Sequence, residues 1–238
     1  MRRSGQLVLS IFREPRFASA EFCAASSNAE ARAWLRRTAA WPDGRLALWG
    51  EAGCGKSHLL HLWAERTGAA LYLGAQLTGV PGLPASSVAV DDADVAADQA
   101  LLHLLNTALE AGQPVLLAAR LPPARWPVRL PDLASRLRAI AAVEIGRPED
   151  TLIHALLVRL LADRQLRPPP AVLEWLVRRL PRSAAAVRQA VERLDTMSLD
   201  AHRSITVPFA AQALADLLRE DEICGTAGLV SQNGEALK

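Results

Sequence analysis

Short runs of unbroken apolar residues alternate along the first two thirds of the chain with stretches of helical spacing. The runs are RLALW (45–49), ALYL (70–73), SVAVDD (87–92, apolar until its closing Asp91-Asp92), PVLLAA (114–119) and AIAAVEI (139–145). NAEARAWLRRT (28–38) reads as a helix with Asn28 at the N-cap position, where a short polar side chain can satisfy unpaired N–H groups. A second helix over 57–66 runs through Leu59, Leu60, Leu62 and Trp63, and a third covers 98–111. A strand with one wet face alternates apolar and polar residues. Unbroken runs predict strands covered on both faces, in a parallel sheet with crossover helices. The expected fold class is α/β.

After Gly146-Arg147-Pro148 the pattern changes and no strand-like run remains. Helices are predicted over 149–163, 170–180, 183–196 and 208–219, with breaks at Pro168-Pro169-Pro170, Pro181 and Pro208. Pro148 stands where a first-turn proline is tolerated, and Glu149 and Asp150 form a favourable acidic first turn. The expected organisation is an N-terminal segment (1–20), an α/β unit (21–147), a small all-α unit (148–220) and a flexible tail (221–238).

Chemistry enters at the junction of the 45–49 run and the 57–66 helix. Gly50-Glu51-Ala52-Gly53-Cys54-Gly55-Lys56-Ser57 fits G-x-x-x-x-G-K-[ST], in the strand–loop–helix context that this motif requires. Its glycines let backbone N–H groups converge on phosphate oxygens, and Lys56 reaches the terminal phosphates. Ser57 offers a hydroxyl to Mg2+, and the helix that follows aims its positive end at the same anion. His58 directly follows and joins the candidate nucleotide-binding set. This predicts a site for ADP or ATP with Mg2+. The run ending in Asp91-Asp92 supplies the second part: Asp91 would hold Mg2+ and Asp92 would orient an attacking water. The other reading of these carboxylates is an acidic helix cap after a strand. Arg136, in PDLASRLRA, is either a structural ion-pair partner or an arginine finger for a nucleotide in a neighbouring subunit.

Composition narrows the classes. A formal net charge of +2 weighs against a strongly basic nucleic-acid binder. Cys23, Cys54 and Cys224 are far apart and odd in number. They suggest neither a disulfide framework nor a metal site, and a reduced, cytoplasmic compartment is expected. The N-terminal MRRSGQLVLSIFREP is too short in its apolar part for a signal peptide, and no run approaches a membrane span. Cys54 lies in the phosphate loop; a small residue at a variable position is the plain reading. The sharper one is a redox-sensitive thiol whose pKa is lowered by the loop's N–H groups.

Four stretches together resemble the AAA+ core of the replication initiator DnaA and, most of all, the shorter Hda family. They are GEAGCGKSHLLH (50–61), the Asp91-Asp92 strand end, LPPARW with LPDLASRL (121–126 and 130–137), and RLDTMSLDAHRSITVPFAAQAL (193–214). The resemblance covers about residues 6–218. It implies an AAA+ P-loop core with a five-stranded parallel sheet and a small all-α helical lid. It also implies that Arg136 is a finger acting in trans and that Asn28 lies near the adenine base. The function it implies is regulatory: Hda-like proteins, tethered to the DNA polymerase III sliding clamp (its β subunit), stimulate ATP hydrolysis by DnaA and prevent re-initiation. ADP is the ligand expected to favour the active state. A homodimer or AAA+ homo-oligomer fits the family. Sequence-specific DNA binding is not expected, because the chain stops after the lid.

In that context Gln6-Leu7-Val8-Leu9-Ser10-Ile11 is similar to a clamp-binding peptide. Gln6 would hydrogen-bond while Leu7, Leu9, Ile11 and Phe12 fill an apolar groove. An edge strand with alternating apolar residues is the alternative. Two departures from the family pattern stand out. Ala118-Ala119-Arg120 replaces small polar or acidic residues after the fourth strand, and the lid arginine expected to touch phosphate aligns with Ala185, flanked by Arg182 and Arg188. Arg182 is taken as its substitute. At most weak intrinsic ATPase activity is expected. The competing functions are an autonomous DnaA/DnaC-like ATPase or loader and a clamp-bound nucleotide-sensing adaptor.

Overall fold

The computed structural model describes residues 23–77, 87–201 and 203–219. The candidate clamp peptide (Gln6, Leu7, Leu9, Ile11, Phe12), Cys224 and the tail lie outside the described residues. The first part of the chain runs α1 (Ala29–Arg36), β1 (Arg45–Trp49), α2 (Lys56–Thr67), β2 (Ala70–Leu73), β3 (Val88–Asp91), α3 (Asp98–Glu110), β4 (Val115–Ala119), α4 (Pro131–Ala139) and β5 (Ala141–Glu144). The strands form one sheet in the order β2-β3-β4-β1-β5. All neighbours are parallel, in registers such as Val90↔Leu117, Ala47↔Leu117 and Leu48↔Val143. Every strand therefore ends at the same edge, where the loop after β1 and Asp91 are found.

The unbroken apolar runs have a direct cause. On one face of the sheet Ala47, Val88, Val90, Val115 and Leu117 pack against Leu101, Leu104, Leu105 and Ala108 of α3 and Leu133 and Leu137 of α4. On the other, Leu46, Leu48, Ala89, Leu116 and Ala118 meet Ala31 and Leu35 of α1 and Leu59, Leu60 and Trp63 of α2. The α3 residues recur at helical spacing, so a single stripe of that helix is buried. Two-faced cover holds for β1, β3 and β4. It fails at the sheet edges, where a neighbour is missing on one side: β2 leaves Leu71 and Leu73 exposed, and β5 exposes Ala142 and Glu144. Trp41 and Trp63 stack with centroids 5.2 Å apart. Their indole N–H groups donate to the Trp34 carbonyl (2.9 Å) and Thr38 Oγ1 (3.0 Å), so both aromatics are buried without an unsatisfied donor.

The remaining described elements are helices: α5 (Asp150–Asp163), α6 (Pro170–Arg179), α7 (Ala184–Ala201) and α8 (Val207–Ala213). They enclose their own core, with Ile153, Leu157, Leu176, Val187, Val191 and Leu194 at its centre. Three boundaries differ from expectation. α7 continues to Ala201, beyond the predicted 196. The helix predicted over 208–219 is interrupted at Leu214, whose φ of −108° leaves the helical range. Pro148 precedes α5 rather than opening it, because Glu149 is the N-cap residue. The Glu149 carboxylate does not cap its own helix; it accepts from the Ser26 hydroxyl and the Ser27 N–H, tying the start of the lid to the segment before α1. Among the described residues no helix is long and apolar enough to cross a membrane.

Candidate functional site

The phosphate loop leaves β1 at Gly50 and enters α2 at Lys56. Gly53 (φ +77°) and Gly55 (φ +109°) adopt left-handed conformations that a side chain would strain, which is what lets the backbone curl between strand and helix. Lys56 is only 7 % exposed. Its ammonium turns back into the loop, donating to the Gly50 carbonyl (2.9 Å) and the Glu51 carbonyl (2.8 Å). The Glu51 carboxylate would repel an anion, but it is drawn aside by Arg147 Nη2 at 2.6 Å, in an exposed pair. Burial pushes the Cys54 thiol pKa up, and nearby Lys56 only partly opposes this. The expectation of a lowered thiol pKa is corrected: desolvation outweighs the loop's N–H groups.

The lid closes over this loop. The Ala184 N–H at the start of α7 donates to the Gly53 carbonyl (3.2 Å). Ser183 packs so closely on Gly53 that a Cβ there would overlap its own. Ser183 Oγ also accepts the Ala186 N–H (3.0 Å), capping α7. Gly53→Ala is therefore expected to cost about 1–3 kcal/mol more than Gly112→Ala, because overpacking is added to backbone strain. Gly112 has φ +64° but faces open space. Urea unfolding of both variants measures the difference. Equal costs would mean that the lid rests on the loop without constraint.

Between loop and lid lies a cavity of about 500 Å³, within the range of ligand pockets. Its floor is Gly53, Cys54, Gly55, Lys56, Ser57 and His58, and its lid wall includes Ala184, Ala185 and Arg188. Asn28, Pro148 and Leu152 form the far end. Asn28 is 4 % exposed. Its side chain does not cap α1; Oδ1 accepts the Ala25 N–H (3.2 Å) and Nδ2 donates to the Cys23 carbonyl (3.1 Å). It shapes the wall by holding residues 23–28 in place. Arg182 is not on this wall, because its guanidinium is paired with Asp150 at the start of α5.

Asp91 closes β3, buried, with its Oδ1 accepting the Asp92 N–H (3.1 Å). Two inter-strand steps separate β3 from β1, so Asp91 and the phosphate loop are about 10 Å apart on one sheet edge. Asp92 is exposed and left-handed (φ +47°). His61, one turn beyond Ser57 on α2, was not singled out from sequence. It lies close enough for Asp91 to act on it: burial lowers its pKa and the Asp91 charge partly opposes. Its i+4 spacing from Ser57 was the available signal. On β4, Ala118 and Ala119 are buried and Arg120 is exposed at the strand end, between β1 and β3.

Arg136 belongs to a different place. Its Nε is 3.4 Å from Asp132 Oδ1, one turn back on α4. α4 leads into β5, which pairs Ala141 with Leu46 near the start of β1. There buried Arg45 donates to the Leu105 carbonyl (2.7 Å). Burial and the nearby Arg136 charge lower the Arg45 pKa, with Asp43 opposing. Arg45 and Trp49 bound opposite ends of β1, about 13 Å apart. Arg136 is thus at the sheet edge opposite the chain's own phosphate loop. The groups that fit a nucleotide are those around the cavity: a loop curled by left-handed glycines, a lysine aimed into it, and a hydroxyl at Ser57. Asp91 and Ser57 are the groups that fit Mg2+.

Residues 150–214 match the family model "Hda, lid domain". The fold is similar to that of domain III of the replication initiation protein DnaA from Thermotoga maritima (TM-score 0.71, 14% identity, 86% of this chain and 98% of that one). It is also similar to AMPPCP-bound DnaA from Aquifex aeolicus (0.65, 15%, 89% and 71%) and to the FIGL-1 AAA domain in complex with ADP (0.60, 17%, 87% and 89%). At such identities the likeness is one of fold: an AAA+ α/β core with a helical lid. The chain thus carries a segment that matches an Hda lid, in a fold similar to that of DnaA domain III.

Proposed function

We propose that this protein is a nucleotide-loaded AAA+ regulator of replication initiation. Tethered to the DNA polymerase III sliding clamp, it stimulates ATP hydrolysis by DnaA through Arg136 in trans and so prevents re-initiation. The observation that carries the reading is the separation of the two parts of its machinery. The phosphate loop and Arg136 lie toward opposite ends of β1, so Arg136 is remote from the chain's own nucleotide. Lys56, Ser57 and the loop N–H groups hold ADP or ATP, and Asp91 with Ser57 holds Mg2+, which when bound neutralises phosphate charge. Bound nucleotide braces the loop against the lid at Gly53 and Ala184, and the AAA+ core then meets DnaA as one rigid partner. Weak intrinsic turnover is in keeping with Ala118 and Ala119 at the end of β4, which offer no polar group to an attacking water.

The test is single-turnover hydrolysis of ATP by DnaA in the presence of clamp loaded on DNA. Hydrolysis is expected to accelerate only when both clamp and this protein are present. Deleting residues 1–12 is expected to remove clamp binding, measured by surface plasmon resonance, and stimulation with it. Unchanged clamp binding would show that Gln6, Leu7, Leu9, Ile11 and Phe12 are not the anchor. Clamp binding without any effect on DnaA would leave only an adaptor. Rapid, Asp92-dependent hydrolysis by the isolated protein would identify an autonomous ATPase instead.

A further inference from the structure

We infer that Asp98 is a positioning residue for Arg136. From the start of α3 its carboxylate fixes the head of α4, and so sets where the Arg136 guanidinium is offered; this rests on the trans-finger reading. α4 begins without a cap of its own. Its N-cap residue is Leu130, which has no side-chain acceptor, and Pro131 in the first turn has no N–H. The N–H groups at a helix start need partners from outside the helix. Asp98 is that partner: its Oδ2 accepts the Arg129 N–H (2.7 Å) and the Leu130 N–H (3.2 Å). Asp98 is half-buried in the first turn of α3, whose positive end favours a carboxylate. The acid in the first turn of α4 itself, Asp132, faces Arg136 instead.

These two bonds fix what apolar packing leaves free. Further along, α4 rests on α3 through Leu133 and Leu137, which pack among Leu101, Leu104, Leu105 and Ala108. Apolar burial is non-directional, so it holds the helices together without setting how far one slides along the other. The loop leading to α4 is held at buried Trp126, whose indole N–H donates to the Leu121 carbonyl (2.8 Å). The Asp98 bonds then place the last two residues before the helix. Arg136 lies six residues beyond Leu130, about 9 Å along the axis. It is 3.4 Å from Asp132, but its Nε is buried and has no hydrogen-bond acceptor among the described residues. Asp132 thus restrains the guanidinium by charge and not through a directed N–H. The direction of the fork follows from the placement of α4, and a reacting group misplaced by about 1 Å loses about 100-fold in rate.

The test is single-turnover ATP hydrolysis by DnaA with clamp-loaded DNA, titrated with the full-length parent, Asp98→Ala, Asp98→Asn and Arg136→Ala. Asp98→Ala is expected to lower the rate at saturating protein by about 10- to 100-fold, with its own ADP affinity and the half-stimulating concentration close to parental. Asp98→Asn keeps an oxygen that accepts both N–H groups and should recover most of the rate. Asp98→Ala should also unfold a few degrees lower, as expected for a lost helix cap. Thr206→Ala is the control for that loss: it removes the cap of α8 in the lid, where Thr206 Oγ1 accepts the Phe209 N–H (3.4 Å), and should stimulate as the parent does. Parental stimulation by Asp98→Ala, beside its loss in Arg136→Ala, would overturn the inference and leave the finger in place. So would equal losses in Asp98→Asn and Asp98→Ala, or a change confined to the half-stimulating concentration, since either would make Asp98 a charged contact with DnaA. A matching loss in Thr206→Ala would reduce Asp98 to a contributor to general stability. Parental stimulation by Arg136→Ala would remove the finger reading and the inference together.

Discussion

Lys56→Ala is expected to abolish practical nucleotide binding, weakening ADP and ATP by about 2–5 kcal/mol, or roughly 30- to 5,000-fold. The size follows from where the ammonium is. At 7 % exposure it is shielded from water, and its present partners are two loop carbonyls. Phosphate oxygens carry full charge where those carbonyls carry partial charge, so they compete for it with advantage. Removing the ammonium leaves the loop with no charged side chain to meet the phosphates, only its backbone N–H groups and the Ser57 hydroxyl. The same bonds to Gly50 and Glu51 also brace the loop, so the variant is expected to unfold at a somewhat lower temperature without nucleotide. Thermal unfolding of the ligand-free protein separates that loss from loss of binding. Ser57→Ala, which leaves the brace intact, should instead reduce only the Mg2+-dependent part of the affinity. If Lys56→Ala binds ADP as well as the parent does by calorimetry, the loop is not the nucleotide site.

What the chain discloses before folding depends on how local the interaction is. β1, β3 and β4 are legible because both faces are covered, so apolar residues run unbroken. The phosphate loop is legible because its geometry, glycines between a strand and a helix, is written in eight consecutive residues. Long-range pairing is not written this way. Arg182 and Arg188 are equivalent flanks of Ala185 in sequence, and only folding brings Asp150 of α5 to Arg182 and leaves Arg188 facing the cavity. Arg147 turning Glu51 aside, and Glu149 holding Ser26 and Ser27, are likewise contacts between distant segments. The thiol of Cys54 shows the opposite limitation. A local argument from loop N–H groups lowers its pKa, whereas the burial that raises it comes from packing around α2 and β5. Asn28 sits at the expected N-cap position, but its amide is spent on residues 23 and 25 rather than on the helix.

Arg136→Ala is expected to leave the protein's own ADP affinity at the parental value and to remove nearly all stimulation of DnaA, a loss on the order of a thousandfold or more in the hydrolysis rate. The two outcomes belong together because of the distance between the sites. A side chain beside Arg45, at the far end of β1 from Gly50, has no reach to the chain's own phosphates. Its guanidinium is held at one end by Asp132 (Nε–Oδ1 3.4 Å) and faces the buried like charge of Arg45, so folding inward is disfavoured. Asp132→Ala should therefore lose part of the stimulation by loosening the aim of the fork. Arg136→Lys should recover little, since a point charge cannot reproduce two parallel N–H donors. Arg138, exposed two residues further on, is the control: Arg138→Ala should stimulate as the parent does. The measurement is single-turnover ATP hydrolysis by DnaA at saturating protein with clamp-loaded DNA. Parental stimulation by Arg136→Ala would exclude the trans finger. A fall in the variant's own ADP affinity together with its unfolding temperature would instead make Arg136 a structural partner of Arg45 and Asp132, with its charge serving this fold and not a neighbour's nucleotide.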